Sequence, residues 1–455
     1  MNVSANCCFR FRRATSGLAC LALLTIAGCR SEVDEPLAVF EPNLVHITKY
    51  AIQKGISMDQ AAQDATWVVS EMFGTPDEPK IPAVVAEDEE LSSVVSIDQL
   101  LAASGPANAE GRGLYRKHCS ICHGVSGDGR GPTAAVQVPY PRDYRLGIFK
   151  FKSTPRGAKP TRDDLARVIR DGIAGTSMIP IPGLTEQNIE ALVDYVIYLS
   201  WRGELERRII DDAIYELDLE GGDRILNTEL ATRLATNPGL KDELAAAAKL
   251  PDNQLGEEYE QYLESWEIIQ DFAAEIAESW LDAADQVVEV PAPPPEIPVA
   301  ESYGDVVKFR GGEQAAAFEA SVKRGQELFV GKIAACSKCH GETGLGNGQT
   351  TDYDDWTKDW TSRVGLDPTD QNVLVPLLAR GAFTPKNALP RNFAEGAFRG
   401  GSSSEQLFRR ITQGIDGTPM PAVTFVDGEF EQQDVWHLIN FIRSLQTNVD
   451  ESTAP

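Results

Sequence analysis

Beyond its first thirty residues this 455-residue chain has no apolar run of eighteen or more, so no membrane-spanning helix is expected there. Cysteine and methionine are scarce, at eight and five. Basic residues are outnumbered, 42 Lys+Arg against 68 Asp+Glu, for a formal net charge of −26. That balance argues against nucleic acid as a partner, because phosphate backbones are held by clustered Lys and Arg. No Ser/His/Asp arrangement, phosphate loop or other catalytic constellation stands out. The chain is too long for one ordinary core, so two or three domains are expected.

The first residues read as a leader. Arg10, Arg12 and Arg13 precede a short apolar core, Leu18 to Ala27, which is too short to span a bilayer. It ends Ile26-Ala27-Gly28-Cys29, which resembles the lipobox of bacterial lipoproteins. The resemblance implies a signal peptide over 1–28, cleavage before Cys29 and acylation of its thiol. Two or more acyl chains would anchor the protein stably. The expected location is periplasmic or otherwise extracytoplasmic, on a membrane. Arg30 stands where an aspartate is associated with inner-membrane retention, which leans towards the outer membrane without deciding it.

Every remaining thiol then has a task. Cys7, Cys8 and Cys20 leave with the leader, and four cysteines are left as two pairs, Cys119/Cys122 and Cys336/Cys339, each followed at once by His123 or His340. C-x-x-C-H is the attachment signature of c-type haem. Two thiols at this spacing reach the two vinyl groups, and the adjacent histidine is directed at the iron. A single Cys₄ zinc site is the rival, but it leaves the two histidines and two downstream methionines unexplained. The methionines after the leader are Met58, Met72, Met178 and Met420. Met178 and Met420 close the repeated phrases Gly175-Thr-Ser-Met178 and Gly417-Thr-Pro-Met420. A methionine is often a core filler; this repeated context makes each one a candidate thioether ligand, which raises a haem's reduction potential.

Five elements recur in order: Gly111 to Tyr115 with Gly325 to Phe329, the two C-x-x-C-H motifs, Pro141-Arg142 with Pro390-Arg391, the two methionine phrases, and the apolar segments Val193 to Leu199 and Ile439 to Leu445. On these residues the chain resembles the class I cytochromes c, in two copies covering 107–202 and 318–447. The resemblance implies an all-α fold in which an entry helix crosses a closing helix, with Gly111, Tyr115 and Tyr195, and again Gly325, Phe329 and Phe441, at the crossings. It also implies that the Pro132 carbonyl accepts a hydrogen bond from His123. The second copy reads Gly346-Asn-Gly-Gln349 there, which leaves the partner of His340 open. Met178 is followed by Ile179-Pro180 but Met420 directly by Pro421, so two distinct potentials are expected. Arg142 and Arg391 are candidate partners of haem propionates, and His118 a candidate neighbour of them.

The domain plan is a signal peptide (1–28), an N-terminal tether or helical region (29–106), a first cytochrome c domain (107–202), an acidic helical insert with a proline-rich linker (203–300) and a second cytochrome c domain (301–455). Ser57 and Gln60 predict a capping box before a helix from Met58 to Phe73. The insert holds 24 Asp+Glu against 6 Lys+Arg, and its apolar stripe predicts a helix over 253–289, about 55 Å long, packed on its own chain or against a second copy. The longer span from His340 to Met420 places a surplus loop at 350–388, expected to extend the second pocket and to serve as a partner surface, or else as a lid that only shields the haem edge. Residues 107–202 carry 14 Lys+Arg against 9 Asp+Glu, which suits an acidic redox partner or the chain's own insert. The leading functional expectation is an electron carrier between respiratory donors and acceptors, with two covalent haems and their iron ligated by His123/Met178 and His340/Met420. A di-haem peroxidase and an electron-transfer subunit of an oxidase or dehydrogenase complex are the alternatives.

Overall fold

The computed structural model describes residues 38–105, 112–251 and 253–447. The leader, Cys29 and Gly111 lie outside these residues. Among the described residues the fold is helical, with three isolated bridges and no strand. No described helix is long and apolar enough to cross a membrane.

The two halves are built alike. Leu114–His118, Ser120–His123, Arg162–Asp171 and Glu186–Glu216 in the first correspond to Ala315–Val330, Ser337–His340, Ser404–Gln413 and Asp434–Ser444 in the second. The third helix of each set starts at a reciprocal capping box, Thr161 with Asp164 and Ser403 with Gln406, so two orphan backbone donors are satisfied at once. Each of those helices stops at a glycine with positive φ, Gly172 and Gly414.

The second crossing follows expectation. Phe329 and Phe441 pack with ring centroids 5.1 Å apart, and a side chain on Gly325 would collide with the His437 carbonyl and the Phe441 Cβ. His437 serves the same crossing: its Nδ1 lies 2.7 Å from the Ser321 hydroxyl. The first crossing is assembled differently. Tyr115 and Tyr195 do meet, 4.9 Å apart and both fully buried. Yet the helix before Cys119 is only five residues long. The packing along the closing helix is supplied by Ile97–Ser104, through buried Leu100 and Ala103.

That closing helix is 31 residues long, about 46 Å, and runs unbroken through the 202/203 boundary. Leu205, Ile209, Ile210 and Ala213 continue its buried face. Residues 38–105 lie against it: Phe73 packs edge-on to Trp201 at 5.0 Å, and the Tyr198 hydroxyl donates to the Phe73 carbonyl. Met58 and Met72 are buried in this core. The helix Asp59–Phe73 has no capping box. Gln60 turns forward to donate to Asp64 at 2.9 Å, because Asp64 is a fully buried carboxylate also held by Arg224.

The insert helix is Gln254–Leu281, about 42 Å long; the chain then tightens into a 3₁₀ turn, Asp282–Gln286. Its stripe packs within the chain. Trp201 Nε1 donates to the Ala273 carbonyl at 2.9 Å, Trp266 meets Trp67, and Trp280 meets Phe149. Contact with the first domain is therefore mainly aromatic, with the Trp201 hydrogen bond and Lys159 Nζ standing 5.3 Å from the Trp280 ring centroid. Among the described residues, Arg208–Glu275 is the ion pair that reaches the helix, at 3.9 Å between exposed groups.

Candidate functional site

In each half the Cys-x-x-Cys-His segment is one helical turn that ends at a glycine: Gly124, φ 73°, and Gly341, φ 75°. Glycine is needed for two reasons: φ is positive, and a side chain there would strike the Asp128 or Asn347 side chain. The following loop folds back on the motif. Gly129 N–H donates to the His123 carbonyl at 2.9 Å and Gly131 N–H to that of Cys122 at 3.0 Å; Gly346 and Gly348 repeat this on His340 and Cys339 at 2.8 and 3.1 Å. None of the four cysteines forms a disulfide. Among the described residues no cluster of three or more His, Cys, Asp or Glu is placed to hold a metal ion, so the two cysteine pairs do not converge on one zinc site.

The histidines are oriented identically, though not by the residue expected. His123 Nδ1 donates to the Arg142 carbonyl at 3.2 Å, not to that of Pro132, and His340 Nδ1 donates to the Arg391 carbonyl, also at 3.2 Å. The repeated Pro-Arg phrase thus supplies a backbone acceptor in both halves, which removes the difference that the missing proline suggested. Each imidazole stacks on the ring two residues further on, His123 on Tyr144 at 4.8 Å and His340 on Phe393 at 4.5 Å. Burial pushes His123 down to about 4 against the Arg142 hydrogen bond, and lowers His340 by the same causes. Both rings are neutral near pH 7, with Nδ1 protonated and Nε2 left as a donor atom for a metal.

The methionine loops are equally alike. Thr176 Oγ1 accepts from Met178 N–H at 3.1 Å and donates to the Ile173 carbonyl at 2.8 Å; Thr418 Oγ1 does so for Met420 and Ile415 at 3.2 and 2.8 Å. Ile173 and Ile415 N–H donate back to the Met178 and Met420 carbonyls. Side chains on Gly172 or Gly414 would run into those same carbonyls. The repeated Gly-Ile at 172–173 and 414–415 was the sequence signal for this closure, and the motif reading passed over it.

Around the first site a cavity of about 350 Å³ is lined by Cys119, Cys122, His123 and Met178, and also by Asp354, Trp356, Phe383 and Arg399. The 350–388 loop therefore covers the first site, where the spacing argument assigned it to the second. Tyr140 stacks on Phe383 at 4.3 Å. Trp356 Nε1 donates to the Asp143 carbonyl at 3.4 Å, and its ring lies 3.4 Å beneath the Arg142 guanidinium. Opposite charges fasten the same boundary. Lys152 meets Asp416 at 2.9 Å, and Arg156 donates to the Thr418 and Met420 carbonyls at 3.3 and 3.2 Å. Arg116 is taken by Asp77, Lys159 by Glu204 and Arg162 by Asp194. Much of the positive charge of 107–202 is thus spent inside the chain rather than offered to a partner.

The first cavity fits haem by its donors: two thiols one turn apart, a neutral oriented imidazole and a thioether. It also holds cations in search of an anion. Arg142 and Lys150 line it without a hydrogen-bond or ion-pair partner among the described residues, and burial and the Arg142 charge push Lys150 down to about 7. His118 lines the same cavity. Arg391, by contrast, pairs with Glu395 at 2.8 Å.

Comparison with known families agrees. Residues 106–196 match the family model "Cytochrome C oxidase, cbb3-type, subunit III", and residues 322–446 match "Cytochrome c". No curated protein matches the chain. Among solved structures, a chain of the Kuenenia stuttgartiensis reducing HAO-like protein complex aligns with 73% of this chain and 94% of its own length, at 21% identity and a TM-score of 0.41. The chain thus carries one cytochrome c-type domain in each half, consistent with a di-haem cytochrome c, and the two domains imply two covalently bound c-type haems.

Proposed function

We propose that His123 with Met178, and His340 with Met420, ligate the two irons, and that the protein is an electron carrier held in the cell envelope by lipid on Cys29. Haem-based electron transfer follows from the two cytochrome c domains. The observation that carries the finer reading is the identity of the two methionine loops, in which the same threonine bonds and the same isoleucine-to-methionine bond pin both thioether-bearing residues. With haem bound, a soft thioether and a neutral imidazole as the two axial ligands would raise the potential and leave no position for a substrate. Cys119/Cys122 and Cys336/Cys339 would form the thioether attachments.

The match of 106–196 to an oxidase subunit III model supports a second reading, an electron-transfer subunit of a membrane oxidase complex. Co-purification of a catalytic subunit with the full chain would favour it over a free carrier. A peroxidase would need one site with an open or displaceable sixth ligand.

The test is the optical spectrum of the haem-loaded chain, oxidised, reduced and reduced under carbon monoxide, beside Met178→Ala and Met420→Ala. Two low-spin haems indifferent to carbon monoxide, one site opening in each variant, is the expected result. A wild-type protein with half its haem binding carbon monoxide would overturn the axial assignment. Intact-mass measurement of the mature N-terminus tests the lipid on Cys29 separately.

A further inference from the structure

The surroundings of Trp356 join the two halves in a way that neither domain alone explains. Its indole comes from the second domain but lies in the wall of the first domain's cavity. Arg142 stacks on it at 3.4 Å and Lys150 Nζ stands 5.3 Å from the ring centroid. Both cations come from the first domain, both face the cavity, and burial with the Arg142 charge makes Lys150 harder to keep charged.

The nearby carboxylates are already engaged. Asp143 holds Arg145 at 2.8 Å, and Asp416 holds Lys152. Asp355 faces Arg363 at 3.0 Å and Arg156 at 3.8 Å, and Asp354, which caps the helix Asp355–Trp360 by accepting from Thr357 N–H, is the carboxylate whose charge favours both Arg142 and Lys150. Arg399, also in the cavity wall, donates to the Gly175 carbonyl at 3.3 Å. Two cations on one aromatic face of the cavity, with Asp354 as the carboxylate charge they share, leave room for a further anion from inside the cavity. The ring is fixed from the other side as well. Asp355 N–H donates to the Gly417 carbonyl at 3.4 Å, and the indole edge packs on Gly417, where a side chain would collide with it.

We propose that Trp356 is a positioning residue of the first haem site: from the second domain it holds Arg142 and Lys150 against the carboxylate edge of the first haem. This rests on the haem assignment to Cys119, Cys122 and His123. Positive charge held beside the haem favours its reduced form, so docking of the second domain sets the first potential.

The experiment is an equilibrium redox titration of the full haem-loaded chain. The first haem's signal is assigned by its loss in the Cys119→Ala/Cys122→Ala chain. In Trp356→Ala the reduced-to-oxidised ratio of the first haem at fixed potential falls about tenfold, about 59 mV for one electron, while the second haem stays in place. Trp356→Phe keeps an aromatic face and stays near wild type. Arg142→Gln and Lys150→Gln shift the first haem the same way, and they test the idea even if Trp356→Ala fails to fold. An unmoved first potential, or equal shifts at both haems, overturns the proposal. Haem content and the reduced spectrum, read in the same samples, report separately on the haem assignment.

Discussion

Arg207 holds both oxygens of Asp359, at 2.8 and 3.1 Å. The arginine belongs to the long closing helix, whereas the aspartate comes from the loop that covers the first site. Lys49, from the N-terminal helix Leu44–Lys54, adds a bond to the Asp359 carbonyl at 3.2 Å. Three parts of the chain are thus tied at one nearly buried carboxylate.

Asp359→Asn should therefore loosen the roof over the first site. Breaking a buried pair from one side leaves an uncompensated charge and costs about 3–5 kcal/mol. The sign with pH is fixed by the cations: Arg207 and Lys49 hold the Asp359 carboxyl far below its usual range in spite of burial. A depressed carboxylate contributes stability above its unfolded value, near 3.9, and loses it as pH falls below that value. Denaturant unfolding at pH 7 and pH 3 should show a large difference in wild type and a smaller one in the variant.

His46 gives a second, higher acid response. It is fully buried with Nε2 2.7 Å from Asp211, and burial followed by the Arg207 charge lowers it to about 4. The unfolded chain takes up this proton near pH 6.5 and the folded one does not. Stability is complete above 6.5 and declines as pH falls towards 4, by roughly 3 kcal/mol. His46→Gln should flatten the stability profile in that window.

Gly325→Ala should open the second crossing. The new methyl would meet the His437 carbonyl and the Phe441 Cβ, and overpacking of this kind costs about 1–3 kcal/mol or more. A lower melting temperature with the first haem's spectrum unchanged is the expected result.

Thr176→Val and Thr418→Val each remove the acceptor for a methionine N–H and a bond to the isoleucine carbonyl. Each should cost about 1–2 kcal/mol and increase carbon monoxide binding at its own site alone. Paired carbon monoxide titrations check this.

The sequence made the haem chemistry legible because that chemistry is local: Cys119 to His123 and Cys336 to His340 each occupy one turn, and their repeat is visible as text. Gly325 was legible for the same reason, its crossing partners Phe329 and Phe441 being marked by the repeat. The Arg142 and Arg391 carbonyls were not, since a backbone acceptor has no residue type to announce it. The target of the 350–388 loop was hidden too. Spacing measures how much chain lies between His340 and Met420, but the destination of Trp356 depends on packing against residues more than two hundred positions earlier. Likewise the charged surface of 204–212 masked a helix that runs on, because Glu206 is buried in an ion pair with Arg202 and Glu204 is half-buried in one with Lys159.

The roof made by 350–388 has a consequence in time. Chains are made from the N-terminus and their leading parts fold first, so Cys119, Cys122 and His123 exist before Trp356 and Phe383 have been synthesised. The first haem can be attached to an open cleft, and the later half then shuts it in. The order of synthesis thus lets loading of the first site precede its covering by 350–388.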